Sequence, residues 1–248
     1  MRQKIVALVL VTAVLSIANP VLTKAETEVQ SITLQDKWSG KYTGYISTEK
    51  AKIYEKCNNK SKVLKTLCFN DEINYKVCTD HPKWYQVKVS NTIGYISCDK
   101  ITEINNYKSY ELSANKGFKS WMGHRCFSSR TNQGKLQLIA ETDENGLRTV
   151  NGRYAVAIGS RFNCDIGQYF DIVLKNGTII PAVCGDQKAD CHTDATNTYS
   201  RNGCCTEFIV DSRSLNSKAK TSGDISSIYD EWDSSVVEIR VYTLNALN

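Results

Sequence analysis

Apolar and polar residues alternate along this chain in short runs separated by turn residues, a pattern of strands rather than helices. From about Lys41 to Thr102 the runs are Gly44-Tyr45-Ile46, Val63-Leu64, Ile73-Asn74-Tyr75, Trp84-Tyr85-Gln86-Val87-Lys88-Val89 and Gly94-Tyr95-Ile96-Ser97. Alternation in the fourth run puts Trp84, Gln86 and Lys88 on one face and Tyr85, Val87 and Val89 on the other. Ile104 to Ser120 is polar and reads as a linker or a short helix. Strand runs resume at Tyr154–Ile158 and Tyr169–Leu174. Lys175-Asn176-Gly177-Thr178 predicts a hairpin turn with positive φ at both central positions, and Thr178–Val183 returns from it. Pro181 makes that returning strand an edge strand or a bulged one. Thr206–Val210 and Val236–Val241 supply later strands, and Ser217–Ile228 has room for a turn of helix. No internal repeat or low-complexity tract interrupts this order.

The first residues follow a different rule. Arg2 and Lys4 precede an apolar stretch from Ile5 to Ala18, and Thr23-Lys24-Ala25 offers small residues where a signal peptidase inspects the chain. Residues 1–25 are therefore expected to be a secretory signal peptide. The stretch is short for a membrane span, although a retained anchor is the alternative. No later segment is apolar enough to cross a bilayer, so the expected location is extracellular or cell-wall-associated. The formal charge of +5 includes the three basic residues of the leader, which leaves the rest only slightly basic. No arginine or lysine stripe suggests nucleic acid.

Ten cysteines fit an exported chain, because an oxidising compartment favours disulfides. They divide into Cys57, Cys68, Cys78 and Cys98, then Cys126, Cys164, Cys184, Cys191, Cys204 and Cys205. Both groups are even, which suggests two separately stapled domains. The pairing stays open, except that adjacent Cys204 and Cys205 should reach different partners.

Lys52-Ile53-Tyr54, Trp84-Tyr85-x-Val87 and Gly94-Tyr95-Ile96 together resemble a bacterial SH3 domain over residues 41–103. The resemblance implies a small β-barrel that binds cell-wall peptides or glycans through aromatic side chains, here Trp84 and Tyr85. The alternative is that both rings belong partly to the core and the barrel is a spacer. Residues 104–120 would then be a linker.

Gly167-x-x-Phe170-Asp171-Ile172-Val173-x-x-x-Gly177, followed by Ile180, Ala182, Val183 and Asp186, has the rhythm of a double-psi β-barrel over residues 121–245. This segment resembles the rare-lipoprotein-A, "3D" and lytic transglycosylase A barrels, which act on bacterial peptidoglycan. It is also similar to exported proteins of Gram-positive bacteria that share Asn151-Gly152-Arg153-Tyr154, Gly185–Asp190, His192-Thr193-Asp194 and Glu207–Asp211. The expected fold is thus mainly β: an SH3-like barrel followed by a six-stranded double-psi barrel, both disulfide-stapled. The short Asp-x-Gly-x-Ile spacing of the 3D group is absent, and His192 follows the hairpin where the rare-lipoprotein-A pattern has its histidine before it.

The candidate chemistry lies in Gly185–Asp194 and Glu207–Asp211. Carboxylates so dense repel one another unless they bind something, share a proton or sit in water. The resemblance implies a lytic transglycosylase, in which one acid protonates the glycosidic oxygen and then takes the C6 hydroxyl proton. Asp186 is the expected acid, and Asp211 the assisting carboxylate. A hydrolase with two carboxylates and a water is the variant, and a non-catalytic wall- or glycan-binding protein is the competing class. Asp190, His192 and Asp194 are candidates for holding sugar hydroxyls, although Asp190 and Asp194 also suit loop positions where they cap their own backbone. Asp186, Asp190, His192 and Asp194, flanked by Cys184 and Cys191, match neither a calcium loop nor a zinc knuckle, so no metal or other cofactor is expected. Cys126 follows His124 by two residues, but an even cysteine count argues for pairing over nucleophilic use. His81, beside Pro82, reads as structural.

Overall fold

The computed structural model describes residues 42–113 and 117–248; the expected signal peptide lies outside the described residues. The chain is mainly β and forms two sheets. It divides into two units, one built from 42–46, 51–67 and 71–103, the other from 47–50, 68–70 and 104–248.

The first sheet has seven strands: β1 (Tyr42–Ile46), β2 (Lys50–Tyr54), β3 (Val63–Cys68), β4 (Glu72–Val77), β5 (Trp84–Val89), β6 (Thr92–Ser97) and β7 (Ile101–Thr102). Their order is β3-β2-β6-β5-β4-β1-β7. The alternation in β5 is realised: Val87 is fully buried, Tyr85 and Val89 pack against the same core, and Lys88 is exposed. Ile46, Ile53, Tyr75 and Ile96 complete that core.

The second sheet holds nine strands: β8 (Tyr107–Glu111), β9 (Ser120–Gly123), β10 (Glu141–Thr142), β11 (Arg148–Val150), β12 (Arg153–Gly159), β13 (Gln168–Leu174), β14 (Ile179–Lys188), β15 (Thr206–Val210) and β16 (Val236–Asn245). Two helices accompany it, α1 (Asn132–Ile139) and α2 (Ser217–Ser222). Most pairs are antiparallel, but β12 runs parallel to β14 and β9 parallel to β15. Two apolar clusters form on opposite faces, as strand alternation requires. Val156, Cys184 and Phe208 belong to one, and their neighbours Ala155, Val183 and Ile209 to the other.

Several expectations are corrected here. Residues 104–120, read as a linker, contain β8, whose Tyr110 packs on the larger core; β8 pairs antiparallel with β16. The polar residues hid it because an outermost strand buries only one face. The second sheet has nine strands where six were expected. The Asn176-Gly177 hairpin forms, but only Gly177 takes positive φ (88°). The Gly177 N–H donates to the Leu174 carbonyl, and the Leu174 N–H to that of Thr178, so a three-residue loop closed by a left-handed glycine replaces the two-residue turn. Of the two alternatives for the Pro181 strand, the edge position fails, since β14 lies between β12 and β13, while the strand is bulged further along, at Gly185. Pro181 is tolerated because pairing with β12 begins only at Ala182. The ten cysteines are unbridged in this structure.

Helix α1 was not expected. Thr131 caps it by accepting a hydrogen bond from the Gly134 N–H. Its apolar signal is weak because Leu138 and Ile139 face solvent, while Gly134, Leu136 and Gln137 are the buried positions. Gly134 is needed there, since a β-carbon would strike the Ser128 carbonyl.

Candidate functional site

The site begins with a bulge. Along the parallel pair, Val156 faces Cys184 and Ala157 faces Asp186, so Gly185 is an extra residue in β14. In a regular strand Asp186, two residues after Cys184, would share its face and point into the larger core. With the bulge, Asp186 moves to the face of Ala157, a common use of bulges near functional groups. Glycine fits closely here, since a β-carbon would overlap the Ile209 δ-methyl and displace it, and would crowd Ala155 and the Val156 nitrogen.

Ala157 also pairs with Glu207 on β15. Asp186 and Glu207 therefore flank one small residue on three adjacent strands and share a sheet face. Backbones two strands apart are separated by about 9.6 Å, enough to place a sugar ring or a water between two carboxyl groups. Ser120 and Met122 continue the same face on β9, in register with Glu207 and Ile209.

These residues line an open groove of about 560 Å³ with Lys188, His192, Arg201 and Asn202. The Lys188 Nζ donates to Glu207 Oε2 at 3.2 Å and to Ser200 Oγ at 2.7 Å. Its side chain is 7% exposed and that of Glu207 28%, so this ion pair is shielded more than a surface pair. The Gln133 Nε2 donates to Asp186 Oδ1 at 3.1 Å. Gln133, Leu136 and Gln137 fall at helical spacing, which lays one stripe of α1 over the smaller apolar cluster and its first turn over Asp186. Among the described residues, no aromatic side chain lines the groove.

The other expected residues are distributed around it. His192 lines the groove and is exposed. Asp190 accepts from Ser160 Oγ at 2.6 Å, tying its turn to the end of β12. Asp194 organises its own loop: Oδ1 accepts from the Thr198 and Tyr199 N–H groups and Oδ2 from Thr196 Oγ1. The Thr198 N–H is the main reason its carboxyl is held below the usual carboxylate range. That loop packs so closely on Gly159 that a β-carbon would strike the Asn197 carbonyl.

Asp211 lies just past β15 and does not line the groove. Its Oδ1 accepts from the Arg213 N–H at 3.1 Å. That bond lowers its pKa, helped by the charges of His124, Arg125 and Arg213. Glu207, not named as a candidate from the sequence, lines the groove. The signal was strand parity: with Phe208 in the core, Glu207 faces the opposite way. Lys188 was missed because β14 extends through a stretch that reads as loop.

Cys126 lies near both carboxylates. Burial pushes its thiol up, and the charges of Asp186 and Glu207 add to this, the reverse of nucleophile activation. His124 Nδ1 lies 3.1 Å from the Val210 carbonyl. Among the described residues, no three or more His, Cys, Asp or Glu side chains converge to hold a metal ion.

In the first sheet, Trp84 meets Tyr54 edge-on at 5.9 Å, and Tyr85 stacks on buried Tyr75 at 4.4 Å. Tyr85 is thus largely a packing residue, while Trp84 sits on the outer face. A cavity of about 820 Å³ lies elsewhere in this sheet, floored by Ile53, Leu64, Leu67 and Ile73 and rimmed by Lys65, Glu72 and Lys88.

No family model matches the chain, and no curated protein matches it. A search of solved structures returns "Structure of NlpC2 from Trichomonas vaginalis", at 17% identity and a TM-score of 0.22. That match covers 32% of this chain and 31% of the other, and a likeness so slight carries no argument. Among the described residues, no helix is long and apolar enough to cross a membrane.

Proposed function

We propose that this protein is an exported factor of the bacterial cell wall whose groove holds and cleaves the glycan strand of peptidoglycan. The observation that carries the reading is the register of Asp186 and Glu207 on either side of Ala157. Two carboxyl groups across an open polar groove suit acid–base cleavage of a glycosidic bond. The substrate class comes from the resemblance of the second segment to peptidoglycan-acting double-psi barrels. Two parallel pairs within an otherwise antiparallel sheet support that assignment of fold.

Asp186 has a neutral amide as its side-chain partner, whereas the charge of Glu207 is offset by Lys188. Asp186 is accordingly the acid that protonates the leaving oxygen and then accepts the C6 hydroxyl proton. Glu207 faces the positive charge that develops on the sugar ring. His192, Arg201 and Asn202 supply hydrogen bonds along the groove. The first sheet would add wall affinity through Trp84 in an SH3-type barrel.

The test is digestion of purified peptidoglycan by the oxidised protein, read by mass spectrometry beside Asp186→Asn. Anhydro-muropeptides that disappear in the variant support the reading. Intact glycan with the protein still pelleting on it leaves a non-catalytic wall-binding module.

A further inference from the structure

The second unit brings two cysteines together. Cys164 and Cys184 are both buried in the second unit, and their thiols lie within hydrogen-bonding reach of each other. Cys184 Sγ is also 3.2 Å from the Cys164 carbonyl oxygen. Cys204 Sγ contacts the Thr206 carbonyl at 2.6 Å, and Cys126 Sγ the Gly123 carbonyl at 3.1 Å.

We infer that Cys164–Cys184 is a disulfide in the exported protein, and that it clamps the bulge presenting Asp186. Cys184 directly precedes Gly185, and its carbonyl accepts from the Gly167 N–H at 2.8 Å. A bond from Cys184 to Cys164 ties that turn of β14 to the chain before Gly167 by a second, covalent link. The pairing needs only proximity; its consequence for Asp186 as an acid rests on the function proposed above. In the reaction each thiol loses a proton and one sulfur–sulfur bond forms. The two electrons reduce the disulfide of an extracytoplasmic thiol–disulfide oxidoreductase to two thiols, through a mixed disulfide.

The experiment uses the full chain refolded in air, blocked with an alkylating reagent and digested without reduction. The expected product is a peptide pair joining Cys164 to Cys184, two hydrogens lighter than its parts. Alkylated thiols at these positions, or links to other cysteines, overturn the assignment. Hydrogen exchange then tests the clamp in a Cys164→Ala/Cys184→Ala double variant, which leaves no lone thiol. Amides of residues 184–188 should exchange at least about tenfold faster than in the oxidised protein, since a crosslink closing such a loop restricts opening. Unchanged exchange sinks the clamp. Neither readout depends on glycan, so failure of the enzymatic reading leaves the pairing standing.

Discussion

Gly185 stands against Ile209: a β-carbon on the glycine would overlap the isoleucine δ-methyl and lie 3.3 Å from Ala155 Cβ. The bulge that aims Asp186 into the groove therefore also packs tightly against the smaller apolar cluster. Gly185→Ala should cost about 1–3 kcal/mol, the usual range for overpacking, with the low end favoured because the δ-methyl can rotate away. Its effect on function should exceed its effect on stability, since any shift of β14 moves Asp186. Urea unfolding and peptidoglycan digestion of one preparation compare the two. A variant as stable and as active as the parent would show that the bulge does not position the acid.

Glu207 and Asp211 make opposite predictions. Glu207→Gln keeps an acceptor for Lys188, so folding survives, but the second carboxylate is gone. Turnover on peptidoglycan should fall by about 10² or more, as expected for a group acting at the reacting atoms. Asp211→Asn should leave turnover near that of the parent, because Asp211 binds the Arg213 N–H outside the groove. The reverse pattern would remove Glu207 from the site.

The sequence was legible where one face of a strand is buried and the other wet. Trp84–Val89 could be read on those terms, whereas the strands around Gly177 showed as apolar runs because both their faces are buried. What could not be read follows from geometry that no local pattern carries. The choice of Glu207 over Asp211 depends on where β15 ends and which face Phe208 takes. Helix α1 left no stripe because it buries a glycine and a glutamine beside its single buried leucine. The turn at Gly177 differs because strand register selected a left-handed glycine after a tight turn, and the dipeptide alone suits either form.

Arg153 and Asp171 form a buried ion pair inside the second unit, with side chains 6% and 4% exposed. Arg153 Nε also donates to the Ala182 carbonyl at 2.9 Å, and the Tyr242 hydroxyl to Asp171 Oδ2 at 2.6 Å. Arg153→Met leaves an unpaired buried carboxylate and should lower stability by about 3–5 kcal/mol. Arg153→Met/Asp171→Leu should recover part of that, but not all, because the Ala182 and Phe170 carbonyls lose their donors. Denaturant midpoints of the three proteins decide it; a single variant within about 1 kcal/mol of the parent would contradict the burial argument.

Lys119 is fully buried just before β9. Its Nζ donates to the carbonyls of Gly117, Trp232 and Ser234 and to Ser226 Oγ at 2.5–3.2 Å. Burial depresses its pKa, with Asp224 partly opposing that shift. Lys119→Met keeps the stem but strands these acceptors, and should cost at least about 1–3 kcal/mol. Because β9 carries Ser120 and Met122 into the groove, its thermal shift should be accompanied by weaker retention on peptidoglycan. A stable variant with unaltered retention would assign Lys119 no part in holding β9.

Alkaline pH should unfold the protein before its surface chemistry would require it. Burial pushes the Tyr75 phenol up to about 12, with Glu103 adding to the shift, and burial does the same to Tyr169, also to about 12. Tyr154 and Tyr242 are raised too, chiefly by burial. In the unfolded chain these phenols titrate near pH 10. Below that value both states keep the proton and the contribution of the buried phenols is intact. Between about pH 10 and pH 12 the unfolded chain loses protons that the fold retains, so stability falls as pH rises. Urea midpoints taken from about pH 8 to about pH 11.5 should decline steeply only above pH 10. Tyrosinate absorbance from the buried rings should appear together with loss of β-sheet circular dichroism. Tyr75→Phe, which removes one titrating group from the first sheet, should make the decline shallower. Buried phenols that ionise near pH 10 in a protein still folded would show that burial does not hold their protons.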